Sequence, residues 1–345
     1  MIRKDEIDEI LGEYGEIKIA TICSHSALQI FHGARLEGFK TVGISLKDRV
    51  KVYESFPLAM PDEFLVVSSF KEVLDDSIQE YLRERNCIIV PHGSFVAYVG
   101  GENILDKLCI PMFGNRLSLL WECNRDRQME WLRKAGLKTP RRFSEIRDKD
   151  IKVFVKFHGA MGGKNYFITD AGKVEEELER RGISLDKVVV EEFISGVRYY
   201  PHYFYSPIFN RLELLGMDKR IETVDESYRF IEKRYDYTVS GNVPIIVRES
   251  LLKSIISMGR NIVEASKKLF PPGIIGPFCL ENFFNPDQGF ITFEVSARIV
   301  AGTNLYPMGS FYSWYYFNEP MSMGRRIARE IKIAFKNDIL EKIVY

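Results

Sequence analysis

The chain reads as an α/β protein, and three observations carry that reading. The first ~120 residues alternate apolar runs of strand length with amphipathic stretches of helical period. Residues 151–194 form a strand–loop–strand–helix–strand unit, and from Arg198 strands dominate until two helical stretches near the end. The first alternation is the βαβ pattern of a doubly wound parallel sheet. At 345 residues there is room for two or three such units, each with a core.

The elements follow in order. Ile17–Cys23 is a strand, and the helix after it runs from about Ser26 to Glu37, ending near Gly38. Thr41–Leu46 and Glu63–Val67 are strands, Leu74–Arg85 is a helix, and Cys87–Val90 is a strand bounded by Pro91. Leu119–Gly136 reads as one helix, best marked from Trp121 to Ala135, with Lys138-Thr-Pro140 as a linker. Ile151–Phe157 and Val188–Ile194 are strands. Further helices are expected at Glu249–Leu269 and Met323–Phe335.

Composition excludes some functions. Lys+Arg and Asp+Glu number 48 each, so no net charge argues for nucleic acid or an anionic membrane, and any phosphate site must be local. No signal peptide and no apolar run of bilayer length is seen, so a cytoplasmic protein is expected. The five cysteines, at 23, 87, 109, 123 and 279, lack metal-ligand spacing and are expected as buried reduced thiols.

The most informative run is Phe293-Glu-Val-Ser-Ala-Arg298, followed by Gly302-Thr-Asn304. In a strand, residues two apart share a face, so Glu294, Ser296 and Arg298 should line one side with Phe293, Val295 and Ala297 on the other. Glu281 lies upstream in an apolar run, and Asn285-Pro-Asp-Gln-Gly289 between them is a turn signal. A hairpin would set Glu281 opposite Glu294. Facing carboxylates repel unless a cation lies between them, and Mg²⁺ takes such oxygens together with phosphate. From spacing alone, a strand with ordinary polar residues on its wet face is the favoured reading.

Lys156 ends a strand that leads into His158-Gly-Ala-Met-Gly-Gly-Lys-Asn165. Gly159, Gly162 and Gly163 let the backbone turn sharply, and successive N–H groups in such a loop make a concavity for phosphate. It is not a P-loop, because no Gly-Lys-Ser/Thr opens a helix. Glu191 and Glu192 end the next apolar strand, as a hinge for adenine and ribose would. At the carboxyl edge of the first sheet, Ser24-His25-Ser26 and Pro91-His92-Gly93-Ser94 lead into helices, where they serve either as plain caps or as an anion site.

The order of these pieces resembles the ATP-grasp superfamily. Ser24–Ser26, Val90–Phe95, Pro111–Arg116, Leu215–Arg220, Gly241–Pro244 and Ser322–Arg326 carry a closer resemblance. Over essentially the whole chain they are similar to the archaeal formate-dependent synthetases of purine biosynthesis. That family formylates 5-amino-4-imidazolecarboxamide ribonucleotide (AICAR) to its formamido product (FAICAR), using formate and ATP. The resemblance implies an ATP-grasp fold behind an N-terminal doubly wound domain. It divides the chain into a substrate-binding domain (1–120), a small lid (121–196) and a C-terminal domain with the metal site (197–345).

It also implies the ligands and their residues. AICAR would be held by His25, Ser26, Ser94 and Asn242. ATP would be held by Lys156, Gly159, Gly162, Gly163, Glu191, Glu192 and Glu222. Mg²⁺, or Mn²⁺, would sit on Glu281 and Glu294, with Arg298 and Glu294 at the reacting groups. A homo-oligomer acting on small molecules is expected, without nucleic acid or membrane. The chain departs from the pattern at Ser296, where the superfamily often has Asn, and at Met161 and Asn165 in the glycine loop. A ligase of the same fold for another carboxylate and amine, and a nucleotide-binding protein without turnover, stand as alternatives.

Other marked residues have plainer readings. His32 is expected to be solvated or packed, and His202 to be a satisfied core histidine. Phe311–Phe317 reads as core or subunit interface. Arg325 and Arg326 read as a solvated or partner-facing surface, since cations at a helix start oppose its dipole.

Overall fold

The computed structural model describes residues 2–143, 149–157, 166–222 and 239–345. After α1 (Lys4–Gly12), the elements β1 (Lys18–Ile22), α2 (Ala27–Leu36), β2 (Lys40–Leu46), α3 (Val50–Glu54), β3 (Glu63–Val67), α4 (Asp76–Glu84) and β4 (Cys87–Ile89) build the first sheet. It is parallel, with strand order β3-β2-β1-β4. Its central strands read as continuous apolar runs because both faces are covered. Ile19 and Ile88 pack among residues of α1, α2 and the C-terminal helix, while Ala20 and Ile89 face a separate cluster. The helix expected from Leu74 begins instead at Asp76, because Phe70–Leu74 closes into a 3₁₀ turn capped by Ser69.

Four short helices follow: α5 (Gly93–Val99), α6 (Gly101–Asp106), α7 (Arg116–Cys123) and α8 (Arg125–Lys134). The single helix expected over 119–136 is thus two. Asn124 breaks it by taking extended backbone angles, and its side chain accepts the N–H groups of Asp126 and Arg127 to start α8.

The second sheet is antiparallel, of order β6-β5-β7, from β5 (Lys152–Phe157), β6 (Tyr166–Asp170) and β7 (Val188–Glu192). Between its last two strands α9 (Val174–Arg181) covers one face, burying Val174 and Leu178 against Val153, Val155 and Val190. The third sheet, also antiparallel, has order β10-β9-β8-β11-β12. Its strands are β8 (Val197–Ser206), β9 (Arg211–Glu222), β10 (Val239–Pro244), β11 (Gly276–Asn285) and β12 (Gly289–Ser296). One face packs against α10 (Glu249–Leu269), whose Ile255, Ile262 and Val263 meet Tyr203, Phe278, Leu280 and Val295. Helix α8 joins this core, with the Trp131 indole donating to the Ile262 carbonyl at 3.0 Å.

Strand β12 is an edge, and its free N–H groups need covering. The carbonyl of Lys138 accepts from Thr292, Gln128 Oε1 from Val295, and Glu122 Oε2 from Ala297. The α7–α8 segment therefore substitutes for a missing strand.

Two more helices, α11 (Phe311–Phe317) and α12 (Met323–Lys336), close the chain. The aromatic helix α11 joins the core through Tyr312, while its Phe311, Trp314, Tyr315 and Tyr316 are exposed. Helix α12 crosses α2 at Gly33 and Gly324, where the backbones touch. A Cβ at Gly33 would collide with Arg325 N, and one at Gly324 with the Gln29 carbonyl. Around this crossing Arg325, Arg329 and Lys332 bind Glu37, while Arg326 binds Glu213 and Glu330. The solvated reading of Arg325 and Arg326 is therefore overturned. Arg326 is 1% exposed, and acids of β9 and of α12 itself outweigh the unfavourable helix dipole.

The crossing has a direct test. Gly33→Ala or Gly324→Ala forces backbone apart rather than a flexible side-chain tip. Each should lower stability by about 2 kcal/mol or more in denaturant unfolding. An unchanged midpoint would show that the helices do not touch at these residues.

Candidate active site

Strand registers gather the polar residues of the third sheet on one face. Asn242 faces Arg220, Tyr200 faces Asp218, Cys279 faces both His202 and Ser296, and Glu281 faces Glu294. Facing residues, and residues two apart, point the same way. The hairpin pairing of Glu281 with Glu294 is as the sequence requires. Arg220, which sequence reasoning missed as a site residue, holds Glu281 by a two-pronged contact at 2.9 and 2.6 Å. Its place two residues from Asp218 on one strand was the available signal. Glu294 makes no hydrogen bond or ion pair among the described residues. Burial, and then the Glu281 carboxylate opposite, push its pKa up to about 7.

Phe293 departs from the expected alternation. A bulge between Glu281 and Asn282 pairs Asn282 with Thr292, leaving Phe293 as the extra residue. Its ring then packs with Tyr200 and Cys279 on the polar face, not with Val295 in the core. The Lys156 ammonium reaches over this ring from β5, 5.8 Å from its centroid. Lys156 also pairs with buried Glu191 at 2.6 Å, and Arg142 binds the same carboxylate at 3.2 Å. Glu192 pairs with Arg141. Gly159, Gly162 and Gly163 lie outside the described residues, as does the side chain of Glu222, whose backbone ends β9.

The second group forms at the carboxyl edge of the first sheet. His25 adopts a left-handed backbone (φ 52°), and its ring stacks on His92 at 5.3 Å between centroids. Ser26 sits at the N-cap of α2, yet its hydroxyl bonds His25 Nδ1 at 2.7 Å and does not cap the helix. Ser24 donates to Ser94 at 3.1 Å and receives Arg49 at 2.9 Å. The buried His92 accepts the Phe95 N–H at Nδ1, and its Nε2 donates to the Ile22 carbonyl, so its ring is the neutral Nε2–H form. Burial lowers its pKa to about 4. Crowding of the His25 ring by surrounding protein, then the neighbouring His92 ring and the charges of Arg298 and Arg220, lower its pKa, although the residue keeps an exposed surface.

One strand joins the two groups. Beyond β12, Ile299 bridges His92 in parallel, which carries Arg298 to the first sheet. A Cβ on Gly93 would lie 2.8 Å from His25 Nε2 and 3.2 Å from Arg298 Cζ, so a side chain there would crowd both groups. Arg298 pairs at 2.9 Å with Glu122, a buried acid of α7 with no distinguishing mark in the sequence. From the other side, Asn242 donates to Asp218 at 2.6 Å, and Asp218 takes His202 Nε2 at 2.6 Å. His202 is thus only half satisfied: its buried Nδ1 has no partner among the described residues.

The residues fit a hard divalent cation. Two carboxylates face each other across a hairpin, burial and then the opposing Glu281 charge raise the pKa of Glu294, and among the described residues Glu281 is ion-paired while Glu294 is not. The described residues hold no third acid, histidine or cysteine for the same ion, so its remaining ligands would be phosphate and water.

The chain is similar to known proteins over its whole length. A family model described as a domain of unknown function (DUF1297) matches residues 171–345, and one described as a protein of unknown function (DUF1246) matches 19–143. The chain is 54% identical to the 5-formaminoimidazole-4-carboxamide-1-(beta)-D-ribofuranosyl 5'-monophosphate synthetase of Korarchaeum cryptofilum, over 100% of both sequences. The chain belongs to this FAICAR synthetase family. The crystal structure of an IMP biosynthesis protein PurP from Thermococcus kodakaraensis matches with a TM-score of 0.78 and 37% identity, over 95% of this chain and 100% of that one. An ADP complex of N5-carboxyaminoimidazole ribonucleotide synthetase matches at a TM-score of 0.65 and 13% identity, over 92% and 76%. That match shows the fold alone, which is ATP-grasp. No helix of this FAICAR synthetase family member, among the described residues, is long and apolar enough to cross a membrane.

The neutral His92 makes stability depend on pH. The unfolded histidine titrates near 6.5 and the folded one near 4, so in between the unfolded chain binds more protons. Stability present above about pH 6.5 should be lost as pH falls toward 4, by up to about 3 kcal/mol from this residue. Urea unfolding of the protein and of His92→Gln across that range is the check. Parallel pH slopes for the two would show that His92 is not held neutral.

Proposed function

We propose that the protein formylates AICAR to FAICAR with formate and ATP, through formyl phosphate, giving ADP and phosphate in purine biosynthesis. The observation that carries this reading is the run from Glu294 to Arg298. One end bears the paired acids beside Lys156, and the other meets His25 and Gly93. This supports a reading with a phosphate donor toward one end of the run and an acceptor nucleotide toward the other, the four-residue interval spanning at most about 13 Å of extended chain.

The residue roles follow. Glu281 and Glu294 would hold Mg²⁺, or Mn²⁺, which when bound neutralises charge on the β- and γ-phosphates. Lys156 and the Gly159–Gly163 loop would hold the phosphates, and Glu191, Glu192 and Glu222 the adenosine. His25, Ser26, Ser94 and Asn242 would hold AICAR. A formate oxygen attacks the γ-phosphorus, and the bond to the departing ADP oxygen breaks. The AICAR amine then attacks the formyl carbon, loses a proton, and phosphate leaves. Phosphoryl transfer asks chiefly for positioning and charge neutralisation. Arg298 has a buried Nε–H with no acceptor among the described residues, a donor left for a substrate oxygen.

In this reading residues 1–120 bind the nucleotide substrate and 197–345 carry the metal and phosphates. Within 121–196 the three-stranded sheet acts as the lid. The five free cysteines are in keeping with a reducing cytoplasm. The exposed aromatic residues of α11 are in keeping with a homo-oligomer.

Glu294→Gln keeps shape and removes a charge from the metal pair. Turnover should fall about a hundredfold or more with folding intact, as read by ADP release. Near-normal turnover with ordinary Mg²⁺ dependence would remove Glu294 from the site.

The reaction itself is tested with AICAR, ATP, Mg²⁺ and ¹⁸O-formate, without folate. FAICAR should form, and ¹⁸O should enter the released phosphate, because the attacking formate oxygen leaves with it. Product with unlabelled phosphate would rule out formyl phosphate. A need for formyl-tetrahydrofolate would rule out direct use of formate.

A further inference from the structure

Glu122 accepts the Ala297 N–H at 2.7 Å through Oε2 and pairs with Arg298 Nη2 at 2.9 Å through Oε1. Covering an edge-strand N–H needs only a neutral acceptor. Two residues earlier on the same edge, Gln128 serves Val295 with an amide oxygen. A carboxylate at 122 is therefore more than the edge requires. A buried charge is costly unless it is paired, and here the pairing is with Arg298.

The helix that carries Glu122 is fixed at its start. Arg116 donates to the carbonyls of Ile104, Leu108 and Ile110. Asn115 caps α7 with its oxygen, and its amide nitrogen donates to the carbonyls of Phe270 and Gly273. Glu122 is thus a stationary counter-ion, 6% exposed. The guanidinium lies near Gly93, where a Cβ would stand 3.2 Å from Arg298 Cζ and 2.8 Å from His25 Nε2. With Nη2 held by Glu122, the guanidinium plane is held with it, and so is the Nε–H that has no acceptor among the described residues.

We propose that Glu122 is the positioning residue for Arg298: its carboxylate holds the guanidinium so that Nε–H meets the oxygen of the reacting acyl phosphate. This rests on the formylation reading above. The charge on Glu122 acts on the rate through Arg298, and the cap on β12 acts only on folding.

Glu122→Gln separates the two roles, since glutamine keeps the size and the acceptor for Ala297 N–H. In the full-length protein kcat should fall about tenfold or more, the scale of a misplaced catalytic group. The KM for ATP should stay within about twofold and the unfolding temperature should hold. In an Arg298→Met background, Glu122→Gln should add no more than about a twofold loss. Glu122→Asp, which keeps the charge at shorter reach, should retain more turnover than Glu122→Gln. The proposal is overturned by unchanged kcat in Glu122→Gln, by an equal added loss in the Arg298→Met background, or by equal losses in the Asp and Gln variants. A crystal structure of Glu122→Gln decides independently of the reaction: Arg298 should leave its place, and an unmoved guanidinium overturns the proposal. If the unaltered protein makes no FAICAR, the formylation reading fails while this structural outcome still stands.

Discussion

Backbone contact between α2 and α12 at Gly33 and Gly324 is the constraint on which the rest depends. Helix α2 begins at the residues that line the first-sheet edge, so its position sets theirs. From the same helix Gln29 donates to Thr303 and Asn304 and accepts the Gly324 N–H, and Asn304 in turn donates to the His25 carbonyl. The chain that leaves β12 is thereby registered against the helix that follows Ser24–Ser26. Glu37 and its three cations add charge to the seam. The close approach itself comes from two missing side chains.

Charge on the polar face is balanced in pairs. Arg220 has Glu281, Lys156 has Glu191, and Arg298 has Glu122. Each cation suits a phosphate or acyl oxygen, and each is meanwhile held by an acid that makes its burial tolerable. A ligand that enters shares or displaces these acids instead of meeting bare charge. Glu294, whose proton affinity is raised by burial and by Glu281, is the exception, and it is the acid most in need of a cation.

Much of this was legible in the chain. Period-two spacing and a turn signal set Glu281 opposite Glu294, because both are local and obey strand geometry. The parallel sheet and the 249–269 helix were legible from long periodic patterns. Phe293 was misplaced because a bulge leaves no mark in one sequence. The helix over 119–136 was read as unbroken because Asn124 caps by its side chain within an otherwise helical pattern. Arg326 and Glu122 were out of reach for a deeper reason: each has a partner more than a hundred residues away, at Glu213 and Arg298. Only tertiary packing tells an acid or base of an amphipathic helix from its solvated neighbours.

Strand β12 and its extension act as a ruler between the Glu281–Glu294 pair and the carboxyl edge of the first sheet. Side chains alternate along it, so adding or removing one residue between Glu294 and Arg298 would turn one of them into the apolar core. Loops elsewhere in the chain can lengthen at small entropic cost. This four-residue interval has no such freedom, and insertions or deletions should be tolerated nearly anywhere before they are tolerated here.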